Sequence, residues 1–334
     1  MKGTSAALLA WFGISASAVC VAADASLALD QRSLLLEDSR LPREAALDRL
    51  QQIRFAFRER AAQPGQWQSW ARGYGGYGSW DGGSAAPRLE RRGGGLLIGI
   101  DRPLQGMWVA GVLAGVGRSE LQADAGGDSD VDSYHLGSYA ATRFYQLGFK
   151  LGAIYSWHEL RSERHSAGEK LHADSRAGTA QLFGEASYSL DFRDFSLEPF
   201  AGLAYVQLDA EHLREQGGSQ ALRLADEQQD GSYLTLGWRA ATSWQVAQRK
   251  LVGRASLAGR HAFVDPQMRG EAQYLASGEY LQLDGREFER DNLRLDLGLD
   301  YELSPDRYLG MSYAGQYADD ARESLLSGRL SLKF

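Results

Sequence analysis

Apolar and polar residues alternate with a period of two along most of the chain after residue 66. Residues 293–303 read LRLDLGLDYEL, and residues 326–334 read LSGRLSLKF. This period is that of a β-strand with one apolar face and one polar face. Twelve such strands are predicted, at residues 66–79, 93–102, 107–121, 131–143, 146–160, 177–190, 195–210, 232–244, 251–264, 292–303, 307–317 and 322–334.

The connections between these strands alternate between two classes. Short connections, such as residues 102–106 and 304–306, alternate with long ones, such as residues 161–176 and 265–291. An up-and-down meander, with tight turns at one end and long loops at the other, gives this alternation directly. The sequence therefore predicts an all-β fold in which twelve antiparallel strands close into an up-and-down barrel.

The period alone does not say whether the apolar face points inward or outward. Twelve strands with an apolar interior would leave an empty apolar lumen in water. Strands of roughly ten residues match a tilted crossing of the bilayer core. Aromatic residues on the apolar face lie beside the short turns, as in a membrane-interface girdle; they are Trp108, Tyr188, Trp244, Tyr301 and Phe334. A transmembrane barrel is therefore favoured over a secreted β-sandwich whose aromatic residues pack a core.

The polar faces of the strands would then line the lumen of the barrel. Their charges have both signs, which indicates local ion pairs or a wet interior rather than a strongly selective pore. The candidate lumen-lining residues, assigned by their position in the alternation, are Lys150, Glu185, Arg239, Arg254, Arg260, Arg294, Asp296, Asp300 and Glu302.

Residues 42–62 form the one stretch with a helical pattern. Pro42 suits the first turn of a helix, and apolar residues recur at spacings of three and four. A helix of this length spans roughly 30 Å, about the thickness of a bilayer core. We expect this helix to lie inside the barrel and to pair with lumen carboxylates; a helix beside the barrel and a partly disordered leader stay open as alternatives. The arginines concerned are Arg49, Arg54 and Arg58, and the candidate carboxylates are Glu185, Asp296, Asp300 and Glu302.

Residues 1–23 are typical of an export signal that is removed after Ala23. Lys2 supplies the positive start and residues 6–19 the apolar stretch, which is too short for a membrane-spanning helix. A lipoprotein signal is disfavoured, because it requires a small residue before its cysteine and Cys20 follows a valine. Cleavage would leave a mature chain without cysteine.

Composition narrows the classes of function. The net charge of −7 at pH 7 argues against a protein that binds nucleic acid through its phosphates. A single cysteine excludes multi-cysteine metal sites, and no cofactor or metal is expected. His158, His165 and His172 recur every seven residues, but we expect solvated loop side chains there rather than a metal site.

Several segments of the predicted barrel, taken in order, resemble the translocator domain of autotransporters, the type V secretion family. Residues 70–75 (WARGYG) open the barrel, residues 94–101 (GGLLIGID) lie in the second strand, and residues 197–205 (LEPFAGLAY) lie in the seventh. The end of the chain resembles the outer-membrane assembly signal of this family, with alternating apolar residues and a terminal aromatic. That signal would be carried by Gly328, Leu330, Leu332 and Phe334.

The resemblance implies a barrel domain at residues 65–334 in a Gram-negative outer membrane. The partners that it implies are outer-membrane lipid, the barrel-assembly machinery and periplasmic chaperones, without nucleic acid, and we expect a monomer. Residues 24–64 would run through the lumen toward the outside, and at this length they hold no sizeable passenger. Some members release their passenger by cyclisation of an asparagine inside the barrel. We expect that route to be absent here, since the only asparagine is Asn292, outside the helix.

Three functions follow from this reading and need to be distinguished. The first is a non-catalytic autotransporter-type barrel that anchors an N-terminal segment and translocates it through the pore. The second is the same barrel without the helix, acting as a porin-like diffusion channel. The third is an outer-membrane hydrolase, because Asp209, Glu211 and His212 lie together at a predicted strand end and an acid–histidine pair can activate water.

Overall fold

The computed structural model of the protein describes residues 26–56, 66–82, 87–104, 107–124, 126–265 and 267–334. Two helices come first, α1 (Leu27–Asp38) and α2 (Arg40–Ala56). Twelve long strands follow: β1 (Gln68–Trp80), β2 (Leu89–Pro103), β3 (Val109–Ala123), β4 (Gly127–Phe144), β5 (Leu147–Ser166), β6 (Glu169–Tyr188), β7 (Phe195–Ala210), β8 (Glu227–Val246), β9 (Arg249–Phe263), β10 (Asp291–Ser304), β11 (Arg307–Tyr317) and β12 (Ala321–Lys333).

The twelve strands form a closed barrel. Each strand pairs antiparallel with the next, and β12 returns to pair with β1 from Lys333 opposite Gln68 to Ala321 opposite Trp80. Closure leaves no exposed strand edge, which a bilayer would not tolerate. The predicted twelve-stranded up-and-down barrel is confirmed, and each predicted strand overlaps a strand of the structure.

The apolar face of the barrel points outward. On β10, Leu293, Leu297 and Leu299 are 45–48 % exposed, whereas Asp300 on the opposite face is 1 % exposed. Of the predicted girdle, Trp108, Tyr188, Trp244 and Phe334 are also among the exposed side chains. Apolar residues outside and charged residues inside are the pattern of a barrel immersed in lipid.

At the end of the barrel that carries the long connections, strands β5 and β6 extend farther than the sequence predicts. The prediction of a loop at residues 161–176 is wrong, because β5 continues to Ser166 and β6 begins at Glu169. The two strands meet in a turn at Ala167 and Gly168, whose φ angles of 51° and 82° suit a two-residue hairpin. Both faces of this hairpin are polar in sequence, and so the alternation that marks the other strands disappears there.

Two of the other long connections form a second, small sheet. Its four antiparallel strands come from the β7–β8 and β9–β10 connections: Leu213–Arg214, Leu222–Leu224, Gln267–Tyr274 and Tyr280–Glu287. At the opposite end of the barrel, a short strand at Leu190–Asp191 pairs with the start of β7. The second sheet lies over the long-loop end and contacts α1.

The N-terminal segment contains two helices where the sequence predicted one at residues 42–62. α2 spans Arg40–Ala56, and α1 precedes it with Ser39 between them. Residues 57–65, with Arg58, and residues 1–25, with the predicted cleavage site at Ala23, lie outside the described residues. Neither described helix is long and apolar enough to cross a lipid bilayer.

Candidate functional site in the barrel lumen

The lumen is occupied by α2, and Arg49 at its centre is completely buried. The guanidinium Nε and Nη2 atoms donate to the two carboxylate oxygens of Asp101 on β2, at 2.8 and 3.0 Å. Nη2 also donates to Gln68 on β1 at 2.8 Å, and Nη1 donates to Ser331 on β12 at 3.3 Å. One helix residue therefore connects three neighbouring strands across the site where the barrel closes.

A second cluster surrounds the carboxylate of Asp300. Arg329 donates to it at 2.5 Å and Arg254 at 2.9 Å, from β12 and β9. Gln52 of α2 donates to the same carboxylate at 3.3 Å, and Asp48, one turn earlier on the helix, pairs with Arg72 of β1 at 2.8 Å. The carboxylate is 1 % exposed, and so it depends on these donors for its hydrogen bonds.

On the far wall of the barrel, a third cluster contains Lys150, Glu185 and Arg239. The Lys150 ammonium lies 2.9 Å from Glu185 and donates to Gln51 of α2 at 2.8 Å. Arg239 donates to both oxygens of the Glu185 carboxylate, at 2.6 Å to the Oε1 atom that Lys150 also contacts, and it lies against the ring of Phe200. The helix is thus held from opposite walls of the lumen.

Further ion pairs fix the N-terminal part of α2 and its junction with α1. Arg40 pairs with Glu323 of β12 at 2.7 Å, and Glu323 also accepts a hydrogen bond from Arg91 at 2.6 Å. Other contacts between helix and wall join Asp38 to Arg91, Glu37 to Arg260, Glu44 to Arg294 and Arg43 to Gln181. Charged residues of α1 and α2 therefore find opposite charges on several walls of the barrel, and Arg43 finds a neutral acceptor.

The partners of the helix arginines differ from those predicted. Arg49 pairs with Asp101, and Arg54 pairs with Glu198 and Asp191 rather than with Glu185, Asp296, Asp300 or Glu302. Those four carboxylates pair instead with cationic or backbone groups of the barrel wall: Glu185 with Lys150 and Arg239, Asp296 with Arg294, Asp300 with Arg254 and Arg329, and Glu302 with the backbone N–H of Lys250. The reason is distance, because each wall carboxylate has a cation on its own strand or an adjacent one.

The helices have a defined direction through the barrel. The C-terminal part of α2 lies near the short turns, where Arg54 reaches Asp191 at 3.6 Å and Ile53 packs on Tyr308. Arg40, at the other end of α2, contacts Glu323 near the long-loop end, and α1 lies beneath the second sheet. Ser26, the first described residue, therefore lies at the long-loop end of the barrel, next to Leu27, which contacts Gly127 at the start of β4.

α1 is enclosed at the mouth of the barrel. Leu29 is completely buried against the second sheet beside Gly270 and Gly285, and Arg32 is 3 % exposed. Arg32 pairs with Glu227 at 3.1 Å and donates to the carbonyl oxygen of Glu211 at 2.9 Å. Asp30 accepts a hydrogen bond from the backbone N–H of Arg286, and burial raises the pKa of Asp30 to about 6.

In the described part of the chain, the histidines and acidic residues considered for metal binding or catalysis do not form one cluster. His158 lies within the predicted fifth strand and is buried inside the barrel rather than solvated, and its ring nitrogens bond Ser133 and Thr179 at 2.8 and 3.1 Å. Within the described ranges, no group of three or more acidic, histidine or cysteine side chains could hold a metal ion. His212 contacts Asp226 at 3.4 Å, whereas Asp209 lies on β7 between Gly178 and Gln228.

These features define the class: a closed, twelve-stranded transmembrane β-barrel whose lumen is filled by its own N-terminal helices. The model of the Autotransporter beta-domain family matches residues 69–314. The chain belongs to this family, and the outer membrane is the location that the family implies.

Relatives and solved structures agree with this assignment. An extracellular serine protease of Serratia marcescens is 29 % identical over 312 residues, which cover 91 % of this chain and 30 % of the protease. Esterase EstA of Pseudomonas aeruginosa is 26 % identical over 304 residues, which cover 81 % of this chain and 43 % of the esterase. The chain thus spans less than half the length of these relatives.

The fold is similar to that of two solved translocator domains. The translocator domain of autotransporter NalP from Neisseria meningitidis has a TM-score of 0.67 at 15 % identity, covering 91 % of this chain and 99 % of that one. The β-domain of the Bordetella autotransporter BrkA has a TM-score of 0.62 at 20 % identity, covering 80 % and 100 %.

Proposed function

We propose that this chain anchors itself in the outer membrane and translocates its own N-terminal segment through the barrel, without catalysing a reaction. The observation that carries the proposal is the direction of α1 and α2, which run from the long-loop end to the short-turn end inside a polar lumen. α2 has 17 residues and a length of about 26 Å, close to one bilayer core. A segment placed in this way joins the two sides of the membrane.

The contacts of the helix support passage through the lumen rather than permanent packing in an apolar core. Arg49, Asp48 and Glu44 bind charged wall residues, and a polar lumen can solvate a peptide that passes through it. The catalytic activities named for the relatives are not carried over, because the chain spans only the part of those proteins that aligns with the barrel and its helix.

The experiment is an epitope inserted after Ser26, with protease treatment of whole cells. We expect cleavage of this epitope in intact cells, because Ser26 lies at the long-loop end of the barrel. The matched control is the same epitope between Ala247 and Gln248, in the β8–β9 short turn, which we expect to be cut only after the outer membrane is opened. A protected Ser26 epitope with a cleaved turn epitope would reverse the orientation and refute the proposal.

The diffusion channel and the hydrolase remain as outcomes of two further tests. Large steady conductance of the intact protein in planar bilayers would favour the channel. Activity on ester, peptide or lipid substrates that is lost in an Asp209→Ala, Glu211→Ala, His212→Ala variant would favour the hydrolase. We expect neither result, since α2 fills the lumen and His212 bonds Asp226 rather than the other two candidates.

We further infer that the chain is exported by residues 1–23 and is inserted as a monomer by the barrel-assembly machinery, with periplasmic chaperones before insertion. What supports insertion of this kind is the last strand. Leu330, Leu332 and Phe334 point outward from β12, and β12 pairs with both β11 and β1. A strand that completes the barrel on both sides is suited to guide its closure.

A further inference from the structure

The lipid-facing wall of the barrel has an apolar depression near the short turns. Small residues on β8 and β9, among them Ala240, Gly253 and Ala255, leave a groove of about 610 Å³. Its walls include Leu297 and Leu299 of β10 and Met311 and Tyr313 of β11. The volume lies in the range of small-molecule pockets, although the rest of a barrel wall is usually filled by large side chains.

The register of the strands places the small residues opposite large ones. Gly253 pairs with Leu299, which pairs in turn with Met311, and Ala255 pairs with Leu297 and through it with Tyr313. The indole of Trp244 covers Gly253, because a Cβ atom on Gly253 would lie 2.7 Å from that ring. The groove is thus a gap between two rows of outward side chains, bounded on the β8 side by an aromatic ring.

Two arginines lie on the outward face between this groove and the short turns. Arg249 is four residues from Gly253 on β9, and Arg307 is four residues from Met311 on β11, about 13 Å along each strand. Leu251 and Leu309 pair with Tyr301 from opposite sides, so that Arg249 and Arg307 flank β10 at a separation of about 10 Å.

These two arginines differ from those of the lumen. Among the described side chains neither Arg249 nor Arg307 forms an ion pair, whereas Arg49, Arg254 and Arg329 are all paired. Asp306 precedes Arg307 in the turn, and so Arg249, Arg307 and this one carboxylate leave a net charge of +1. A positive charge at the membrane interface attracts the phosphate of a lipid headgroup.

We propose that this face binds one anionic phospholipid of the leaflet at the short-turn end. One acyl chain lies in the groove between Ala255, Leu297 and Met311, and the phosphate lies between Arg249 and Arg307. The occupant is a lipid because the groove faces the bilayer, and an anionic lipid because the two interface charges are positive. The proposal rests on the membrane placement proposed above but not on the translocation of the N-terminal segment.

The test is native mass spectrometry of the full-length barrel released from detergent, with phosphatidylglycerol added at increasing concentration. We expect one tightly bound phosphatidylglycerol per barrel and weaker binding of zwitterionic phosphatidylethanolamine. Arg249→Gln with Arg307→Gln should weaken phosphatidylglycerol binding by about 30-fold, from the usual contribution of two interfacial arginines. Ala240→Phe with Ala255→Phe should abolish the bound lipid by filling the groove.

Matched controls separate this site from general lipid coating. Ala201→Phe places the same side chain on the outward face of β7 outside the groove, and Arg269→Gln removes an exposed arginine from the second sheet. Both should bind phosphatidylglycerol as the unaltered protein does, and heat-modifiable electrophoretic mobility shows that each variant is folded. Equal binding in all variants, or a dimer of barrels that the groove-filling variant dissociates, would overturn the proposal even if the Ser26 epitope is surface exposed.

Discussion

Replacing Arg49 with methionine tests whether the ion pairs of the lumen hold α2 in place. The side chain is completely buried, and its loss leaves the carboxylate of Asp101 without its cation. Asp101 would keep one donor, the hydroxyl of Tyr139 at 3.0 Å. An uncompensated charge in a buried site is much less stable than either an intact pair or a neutral replacement of both partners.

The expected cost is about 3–5 kcal/mol, the usual penalty for breaking a buried ion pair from one side. If that cost falls on the docking of α2, the equilibrium for local opening of the helix increases roughly 10²- to 10⁴-fold. Amide hydrogen exchange of residues 44–54 in the detergent-solubilised barrel measures this opening directly. We expect faster exchange across α2 while the amides of β5 and β6 are unchanged.

Two further variants test whether the unpaired charge of Asp101 causes the faster exchange of α2. Arg43 donates to the neutral side chain of Gln181 at 2.8 Å, and so Arg43→Met should cost less, about 2 kcal/mol. Adding Asp101→Asn to Arg49→Met removes the stranded charge but keeps an acceptor for Tyr139, and most of the stability should return. Equal exchange in the two single variants, or no recovery in the double variant, would refute the ionic explanation.

Three other predictions follow from the same structure. Burial raises the pKa of Asp30 to about 6, from an ordinary value near 4, and so the ionised form opposes docking of α1. Docking should therefore strengthen as the pH falls from about 6 to 4, by up to about 3 kcal/mol, and Asp30→Asn should remove this pH dependence of protease resistance. Deleting residues 24–64 should convert a closed barrel into one with large steady conductance in planar bilayers; similar currents from the intact protein would contradict the role given to α2. Removing Phe334 should lower the amount of heat-modifiable barrel in the outer membrane, and a normal amount would argue against an assembly signal at the C-terminus.

The barrel could be predicted from sequence wherever lipid faces one side and the lumen the other. On β10 apolar residues alternate without interruption with charged residues and one glycine, because each face has a different environment. The same condition fails beyond the membrane, where one face of the β5–β6 hairpin meets water and the other is buried through polar residues such as Arg164, which donates to Glu215. Residues 161–176 therefore carry no alternation although they are mostly strand.

The lumen could be predicted only in part. Asp101 directly follows the apolar stretch at residues 96–100, and the alternation from buried Leu97 places it inward, so that it could have been included among the predicted lumen residues. α1 gave no signal, because it is buried on all sides and its apolar residues do not form one stripe. The pairing of each charge depends on which strands face each other across the barrel, and this is not encoded in any one strand.

The arrangement of the ion pairs explains how a mobile segment can stop at one position. Buried pairs add little net stability over hydrated charges, and so they do not bind a helix through sheer number. They are sensitive to position, however, because Glu37, Asp48 and Arg49 each meet a partner at a different height of the barrel. A shift of one helical turn, 5.4 Å, would separate all three pairs at once. We therefore expect α2 to have one seated register in the lumen, reached when the chain has moved far enough for every pair to form together.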